Sequence, residues 1–180
     1  YSNVYGAFGG NGIYFTGTNN SLINNNISNN NASGVILFYS SFSVISNNIA
    51  NSNLYSAVHL ITSTNNNFTD NNFSLNTEND INLASNSFNN TFLNCSYDDF
   101  NNAGGSLIRK WYYRAYVNDS SGNSMEDLDV LAYNNTNDLI LNLTTNESGW
   151  TQIGHIIDYI SEGVFTNYYS NYVITSSNST

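Results

Sequence analysis

Apolar residues recur every 22 or 23 positions along the first hundred residues. Four segments begin at Gly12, Gly34, Ala57 and Asp80, and the positions one and three places after each start are apolar. This alternation of apolar and polar positions predicts a short, half-buried strand at the head of each segment. The two columns are Ile13, Val35, Val58 and Ile81, and Phe15, Leu37, Leu60 and Leu83.

Two more apolar columns in each segment indicate that every repeat contains several short strands. A unit of this length cannot bury its own apolar face, so successive segments must stack on one another. Stacked turns about 4.8 Å apart, with corresponding strands paired in parallel, make a parallel β-helix of about four turns. The further columns are Leu22, Val44, Phe68 and Phe92, and Ile27, Ile49, Phe73 and Tyr97.

Asparagine is frequent where the chain must turn between these strands. It tolerates left-handed backbone geometry, and its amide can bond to an identical amide one turn away. We therefore predict a ladder of polar side chains three residues after the third apolar column. In this ladder the single cysteine replaces an amide as a weaker donor, which we favour over a reactive thiol. The predicted ladder is Asn25, Asn47, Asn71 and Cys95.

The form of the segments, Gly-Val/Ile-x-Leu followed by Asn-Asn-Ile, resembles the right-handed parallel β-helix repeats of surface and secreted proteins. That group includes the NosD-like family, which is named after a periplasmic copper-handling protein. The resemblance covers about the first hundred residues and implies the fold. It implies no single function, because the same columns occur in enzymes, adhesins and structural modules.

A second domain begins where the repeats stop. The run Ala-Gly-Gly-Ser at 103–106 is typical of a junction, so we place a β-helix at 1–105 and a small antiparallel β-sandwich at 106–180. Short strand candidates separated by Gly, Ser and Asn turns support the sandwich. The stretch from Leu107 to Tyr159 resembles the carboxypeptidase-regulatory-like or bacterial-Ig-like modules that follow β-helices in archaeal cell-surface proteins. Its markers are Asp119-Ser-Ser-Gly-Asn and Glu147-Ser-Gly-Trp, although no Pro occurs in the first turn. The fold class is therefore all-β.

Charge restricts the partners that the protein can have. Three basic residues stand against thirteen acidic ones, and the formal net charge is −10. This charge repels phosphate backbones and anionic headgroups, so nucleic acid is excluded as a partner. The sequence lacks an apolar run of membrane-spanning length, which argues against membrane insertion.

Glycosylation sequons predict an extracellular or cell-surface location, although chance alone produces some of them in a chain so rich in Asn, Ser and Thr. The candidate glycosylation sites are Asn19, Asn26, Asn31, Asn67, Asn72, Asn89, Asn94, Asn118, Asn134, Asn142, Asn146 and Asn178.

Candidate catalytic residues are few. Lyases that act on uronates need a basic residue, yet no Lys or Arg precedes Arg109. Hydrolases need two facing carboxylates, and neighbours such as Asp98 and Asp99 point to opposite faces of a strand. His59 and His155 have no partner at metal-ligand spacing. We therefore expect a non-enzymatic protein without catalytic residues, metal or cofactor. A degenerate polysaccharide lyase or hydrolase is the less favoured alternative.

The leading functional hypothesis is a structural surface glycoprotein that assembles with copies of itself, head to tail, into a filament, sheath or surface layer. The chain begins in the middle of a turn, and an uncovered β-helix end recruits other strands. The alternative is a carbohydrate-binding or adhesive module of a longer surface protein, for which glycans are the partner. The candidate subunit or domain contacts are Tyr1, Val4, Tyr5, Arg109, Lys110 and Arg114.

Overall fold

The computed structural model describes the backbone at residues 2–5 and 10–178 and the side chains of residues 10–177. Within these ranges the chain is all-β and contains no helix, which confirms the predicted fold class. The first thirteen strands are β1 Ser2–Tyr5, β2 Ile13–Thr18, β3 Ser21–Ile23, β4 Asn25–Ser28, β5 Val35–Ser41, β6 Val44–Ser46, β7 Ile49–Asn51, β8 Ser56–Ile61, β9 Asn67–Thr69, β10 Asn72–Ser74, β11 Asn79–Leu83, β12 Asn90–Leu93 and β13 Phe100–Asn102.

These strands form a parallel β-helix of about four turns, as the repeat predicts. The first sheet has the strand order β1-β4-β7-β10 and the second has the order β2-β5-β8-β11-β13. The third begins with the order β3-β6-β9-β12. Strands in neighbouring turns pair in parallel in all three sheets.

The first two apolar columns have the predicted register and are buried from the second turn onward, but the third and fourth columns were placed wrongly in the second turn. Leu22 pairs with Ile45, and Ile27 pairs with Ala50. Ile45 and Ala50 are fully buried, whereas Val44 and Ile49 point outward. The cause is that the second turn has one residue more than the first. Thr16 pairs with Phe38 but Gly17 pairs with Ser40, so Tyr39 is the extra residue. That insertion displaces everything after it by one position.

The same shift corrects the predicted ladder, because Asn48 and not Asn47 lies between Asn25 and Asn71. Asn25 Nδ2 donates to Asn48 Oδ1 at 3.0 Å, and Asn48 Nδ2 donates to Asn71 Oδ1 at 3.1 Å. Asn71 Nδ2 then points to Cys95 Sγ at 3.7 Å. Asn47 supplies the left-handed corner residue, with φ of 54°. Burial raises the pKa of the Cys95 thiol to about 11, as expected for a structural cysteine.

Further ladders occupy the other corners, and the sequence analysis did not find them. Asparagine members donate from Nδ2 to the side-chain oxygen of the next member, whereas serine members donate their backbone N–H to the side-chain oxygen of their counterpart in the adjacent turn. Several side chains also donate to a backbone carbonyl of the adjacent turn. The first of these ladders ends on a carboxylate, because Asn76 Nδ2 donates to Asp80 Oδ1 at 2.9 Å. The members of the three ladders are Asn30, Asn53, Asn76 and Asp80; Asn20, Ser43, Asn66 and Asn90; and Ser40, Ser63 and Ser87.

The chain divides into two compact units, of which the second comprises residues 110–159 and 168–180. The first unit therefore extends to residue 109 and also takes in 160–167, a segment that the sequence analysis assigned to the second domain. The boundary at 105/106 thus differs by four positions from that of the structure. The remaining strands are β14 Ser106–Tyr113, β15 Leu128–Tyr133, β16 Leu139–Thr144, β17 Gly154–Glu162, β18 Phe165–Tyr168 and β19 Val173–Asn178.

Antiparallel pairing, predicted for the second unit, is present there. β15 pairs antiparallel with β16 on one side and with β19 on the other. Its inward residues Leu128, Val130 and Ala132 are buried together with Leu143 and Tyr159. The described strands confirm the antiparallel sheet, and the two-layer sandwich and the Ig-like family remain predictions.

Substitution of two neighbouring asparagines tests the corrected register. Asn48→Ala should lower the free energy of unfolding by about 3 kcal/mol. The substitution removes the hydrogen bonds that Asn48 Nδ2 donates to the carbonyls of Leu22 and Ser46. Asn47→Ala, at an exposed left-handed position, should cost about 1 kcal/mol. Chemical denaturation measures both values. A larger loss at Asn47 than at Asn48 would show that the corrected register is wrong.

Candidate functional site

The outward positions of the second sheet form a column of side chains along the β-helix axis. Residues of a strand alternate between core and solvent, and the strands of this sheet pair in register. The outward residues therefore stack from turn to turn at a spacing of about 4.8 Å. We call this column the strip, and its members are Tyr14, Ile36, His59, Asn82 and Asn101.

Aromatic side chains surround the beginning of the strip. The ring of Tyr14, which is 55% exposed, lies 6.0 Å from the ring of Phe38. Tyr39 is 61% exposed and meets Phe38 edge-on at 4.5 Å between ring centroids. Exposed tyrosine rings offer an apolar face together with a hydroxyl that both donates and accepts hydrogen bonds. We call these three rings the aromatic platform, and they suit the apolar face and hydroxyls of a sugar ring.

Polar side chains form the other half of the strip. Asn101 Nδ2 donates to Asn82 Oδ1 at 3.3 Å, so these amides line up along the axis. Beside them Asn79 Nδ2 donates to Asp99 Oδ2 at 3.1 Å. Amide and carboxylate groups at the surface provide the donors and acceptors that sugar hydroxyls require. The strip therefore changes from an apolar to a polar surface along its length.

His59 lies where the two halves of the strip meet. Burial lowers the pKa of its imidazole below the usual 6.5, and the carboxylate of Glu78 partly opposes that change. The imidazole is therefore neutral near pH 7, with one nitrogen able to donate and the other able to accept. Sequence spacing gave no sign of this environment, because Glu78 lies 19 positions further along the chain.

Three acidic side chains of the later turns, one of them the candidate Asp99, are hydrogen-bonded to other groups of the β-helix. Asp80 is buried, and its two carboxylate oxygens accept from Asn76 Nδ2 and from the backbone N–H of Asp98. Asp99 Oδ1 accepts from the backbone N–H of Asp80 at 2.7 Å. Asp70 Oδ1 accepts from Asn94 Nδ2 at 2.7 Å. These carboxylates stabilise turns.

Two kinds of feature are absent from the described residues. No group of three His, Cys, Asp or Glu side chains there is arranged to hold a metal ion. In the same part of the chain, no helix has the length and apolar character needed to span a bilayer.

The predicted glycosylation sites differ in their accessibility. Ten of the twelve asparagines are exposed: Asn19, Asn26, Asn31, Asn67, Asn72, Asn89, Asn94, Asn118, Asn142 and Asn146. Asn134 is only 4% exposed, and its amide donates to Asp138 Oδ2. The side chain of Asn178 lies outside the described residues.

The candidate contact residues are distributed over both units. Tyr1 lies outside the described residues, whereas Val4 and Tyr5 lie in β1, where they pair with Ile27 and Ser28.

Two of the three basic residues lie over aromatic rings within their own units. The guanidinium of Arg109 lies 4.4 Å from the ring centroid of Tyr97. That of Arg114 lies 4.5 Å from the ring centroid of Trp150 and also donates from Nε to Thr151 O. Lys110 lies in β14, where it is half-buried.

A solved structure with a related fold corrects the expectation of a non-enzymatic protein. A single mutant of the periplasmic alginate epimerase AlgG matches 58% of this chain with a TM-score of 0.52 and 25% identity. A double mutant of the same enzyme matches with a TM-score of 0.48. The match spans only 26% of the epimerase chain. Because this similar β-helix belongs to an enzyme, the shortage of basic residues and paired carboxylates does not exclude catalysis.

One known protein family accounts for the first two thirds of the chain. No curated protein matches the sequence. The family model described as "Right handed beta helix region" matches residues 1–121. That range contains all the parallel strands of the three solenoid sheets. The chain therefore belongs to the right-handed β-helix family.

Proposed function

We propose that this chain binds polysaccharide along the strip, as a module of an extracellular or cell-surface protein. The observation that carries the proposal is the aromatic platform at one end of the strip, which the largely buried Ile36 separates from the polar side chains of His59 and Asn82. Such a surface stacks on one sugar and hydrogen-bonds to the next. The similarity to an alginate epimerase, whose name describes action on a polysaccharide, supports this class of ligand.

The negative charge of the chain determines which polysaccharides it is expected to bind. Residues 1–108 contain no Lys or Arg, and the whole chain carries a formal charge of −10. Alginate is a polyanion, and a surface without cations repels it. We therefore expect this chain to prefer neutral polysaccharides over uronate-rich ones. The sequons and the periplasmic location of the similar epimerase support a location outside the cytoplasm.

Self-assembly is a second candidate function, favoured by the edges of the second sheet. Among the described strands, β2 and β13 lie at its two ends, and an edge strand offers backbone groups to another chain. Pairing of β13 with β2 of the next copy would continue the coil head to tail. Electron microscopy of concentrated protein should then reveal regular polymers, and a monodisperse monomer at high concentration would contradict this candidate.

Polysaccharide binding is tested by removing the aromatic platform. Tyr14→Ala and Tyr39→Ala should each weaken binding to a neutral polysaccharide by about tenfold, because each deletes an exposed stacking ring. Phe165→Ala, which removes a highly exposed ring elsewhere in the first unit, is the matched control and should leave binding unchanged. Calorimetry measures the affinities, and product analysis of the same mixtures detects cleavage or epimerisation. The proposal fails if no polysaccharide binds, or if all three variants bind equally well.

The environment of His59 predicts how the strip responds to pH. NMR titration should give a pKa below 6.5, and Glu78→Gln should lower it further because the carboxylate favours the imidazolium. A lowered pKa means that the unfolded chain takes up a proton more readily than the folded one. This group's contribution to stability is therefore complete above about pH 6.5 and declines as the pH falls toward the folded pKa. A pKa above 6.5, or a rise in Glu78→Gln, would contradict the assignment.

A further inference from the structure

The second turn of the β-helix carries exposed apolar side chains where its neighbours carry polar ones. We call Phe42, Val44, Ile49 and Leu54 the apolar belt, and each is between 43% and 61% exposed. They follow one another around the outside of the turn formed by residues 34–56. A single exposed apolar residue is ordinary, but four of them in one turn, each beside polar residues of the adjacent turns, form a pattern that needs a covering group.

Sequon asparagines lie directly beside the apolar belt in the adjacent turns. On the first sheet Ile49 pairs with Asn26 on one side and with Asn72 on the other. On the third sheet Val44 pairs with Asn67. The neighbouring side chains are therefore about 4.8 Å apart along the axis.

At two corners of the β-helix, a sequon asparagine likewise lies beside a belt residue of the adjacent turn. Asn19 and Phe42 are the left-handed residues that precede the ladder pair Asn20 and Ser43. Asn31 and Leu54 follow the ladder pair Asn30 and Asn53.

The sequons lie outside the turn that carries the belt. Residues 34–56 contain none, although Asn47, Asn48, Asn51 and Asn53 lie there. The five sequon asparagines in register with the belt are all exposed: Asn19, Asn26, Asn31, Asn67 and Asn72. At several outward columns, a sequon asparagine in one turn is therefore followed by an apolar belt residue in the next turn.

From this register we propose that N-linked glycans on Asn26, Asn67 and Asn72 fold over the second turn and cover Val44 and Ile49. The proposal rests on the extracellular location proposed above. A glycan is bulky and strongly hydrated on its outside, while the C–H face of its first sugar can pack on an aliphatic side chain. Glycans from both sides of Ile49 close over it, and one from Asn67 covers Val44. The occupant of the belt is then the protein's own carbohydrate.

The modification is an ordinary glycosyl transfer from a lipid-linked oligosaccharide diphosphate. The asparagine Nδ2 forms a bond with the anomeric carbon, and the bond from that carbon to the phosphate oxygen breaks. The amide loses one proton, and the lipid diphosphate leaves with the electron pair. Asn134 should stay unmodified in the folded protein, because its amide is buried and bonded to Asp138.

Glycopeptide mass spectrometry of the protein from its natural source tests which sites are occupied. We expect glycans at Asn26, Asn67 and Asn72 and none at Asn134. Enzymatic removal of glycans from the folded protein should then raise the fluorescence of an apolar-surface dye by about twofold, since the belt becomes exposed. Empty sites at Asn26, Asn67 and Asn72 would overturn the proposal.

A belt variant separates this effect from general loss of structure. In a protein carrying Val44→Thr and Ile49→Gln, neither of which adds a sequon, deglycosylation should raise the dye signal much less than in the wild type, because only Phe42 and Leu54 of the belt remain apolar. An equal rise in variant and wild type would overturn the proposal, and so would dimers formed through the belt in the fully glycosylated protein. Polysaccharide binding is measured separately on the same material. Its absence, with the glycans mapped as expected, contradicts only the proposed function.

Discussion

The structure depends on one local device that closes the corners of the β-helix. A residue with left-handed backbone geometry turns the chain, and the next residue points an amide, hydroxyl or thiol inward. At the best-formed corner the turning residues include Asn47 and Asp70, and the inward residues that follow them are Asn48 and Asn71. The inward group bonds to its counterpart one turn away and often to a backbone carbonyl as well. Backbone groups that a parallel coil would otherwise bury unpaired are thereby satisfied.

This device leaves the outward positions available for function. Because polar ladders and a core that includes the stacked rings of Phe68 and Phe92 hold the turns together, outward residues need not pack. The residues of each outward column come from successive turns and are not neighbours in the sequence. The strip from Tyr14 to Asn101 and the belt residue Ile49 between two sequons are both features of this kind.

The sequence predicted the fold well because the core columns repeat nearly without interruption. It failed at the second turn for a physical reason: Tyr39 adds one residue between the first strand and the next corner. A one-residue shift exchanges inward and outward positions, so Val44 was assigned to the core in place of Ile45. The serine ladder was missed because its spacing from the second apolar column changes: Ser40 and Ser63 come three residues after that column, whereas Ser87 comes four residues after Leu83.

The site was harder to predict than the fold. The platform rings of Tyr14 and Phe38 sit at outward positions, which an alignment of core columns passes over. The partner of His59, Glu78, becomes its neighbour only when one turn stacks on the next. Catalytic groups in this fold can also come from different turns, so the orientation of sequence neighbours such as Asp98 and Asp99 does not decide whether the protein is an enzyme.

Hydrogen exchange of asparagine side-chain amides, followed by NMR, tests the ladders most directly. The Nδ2 hydrogens of Asn48, Asn53, Asn66 and Asn71 are buried and bonded across turns, so they should exchange as slowly as the backbone amides of the sheets. Those of the exposed Asn26 should exchange rapidly. If the four ladder amides exchange as fast as that of Asn26, the ladders do not hold the turns together and the account is wrong.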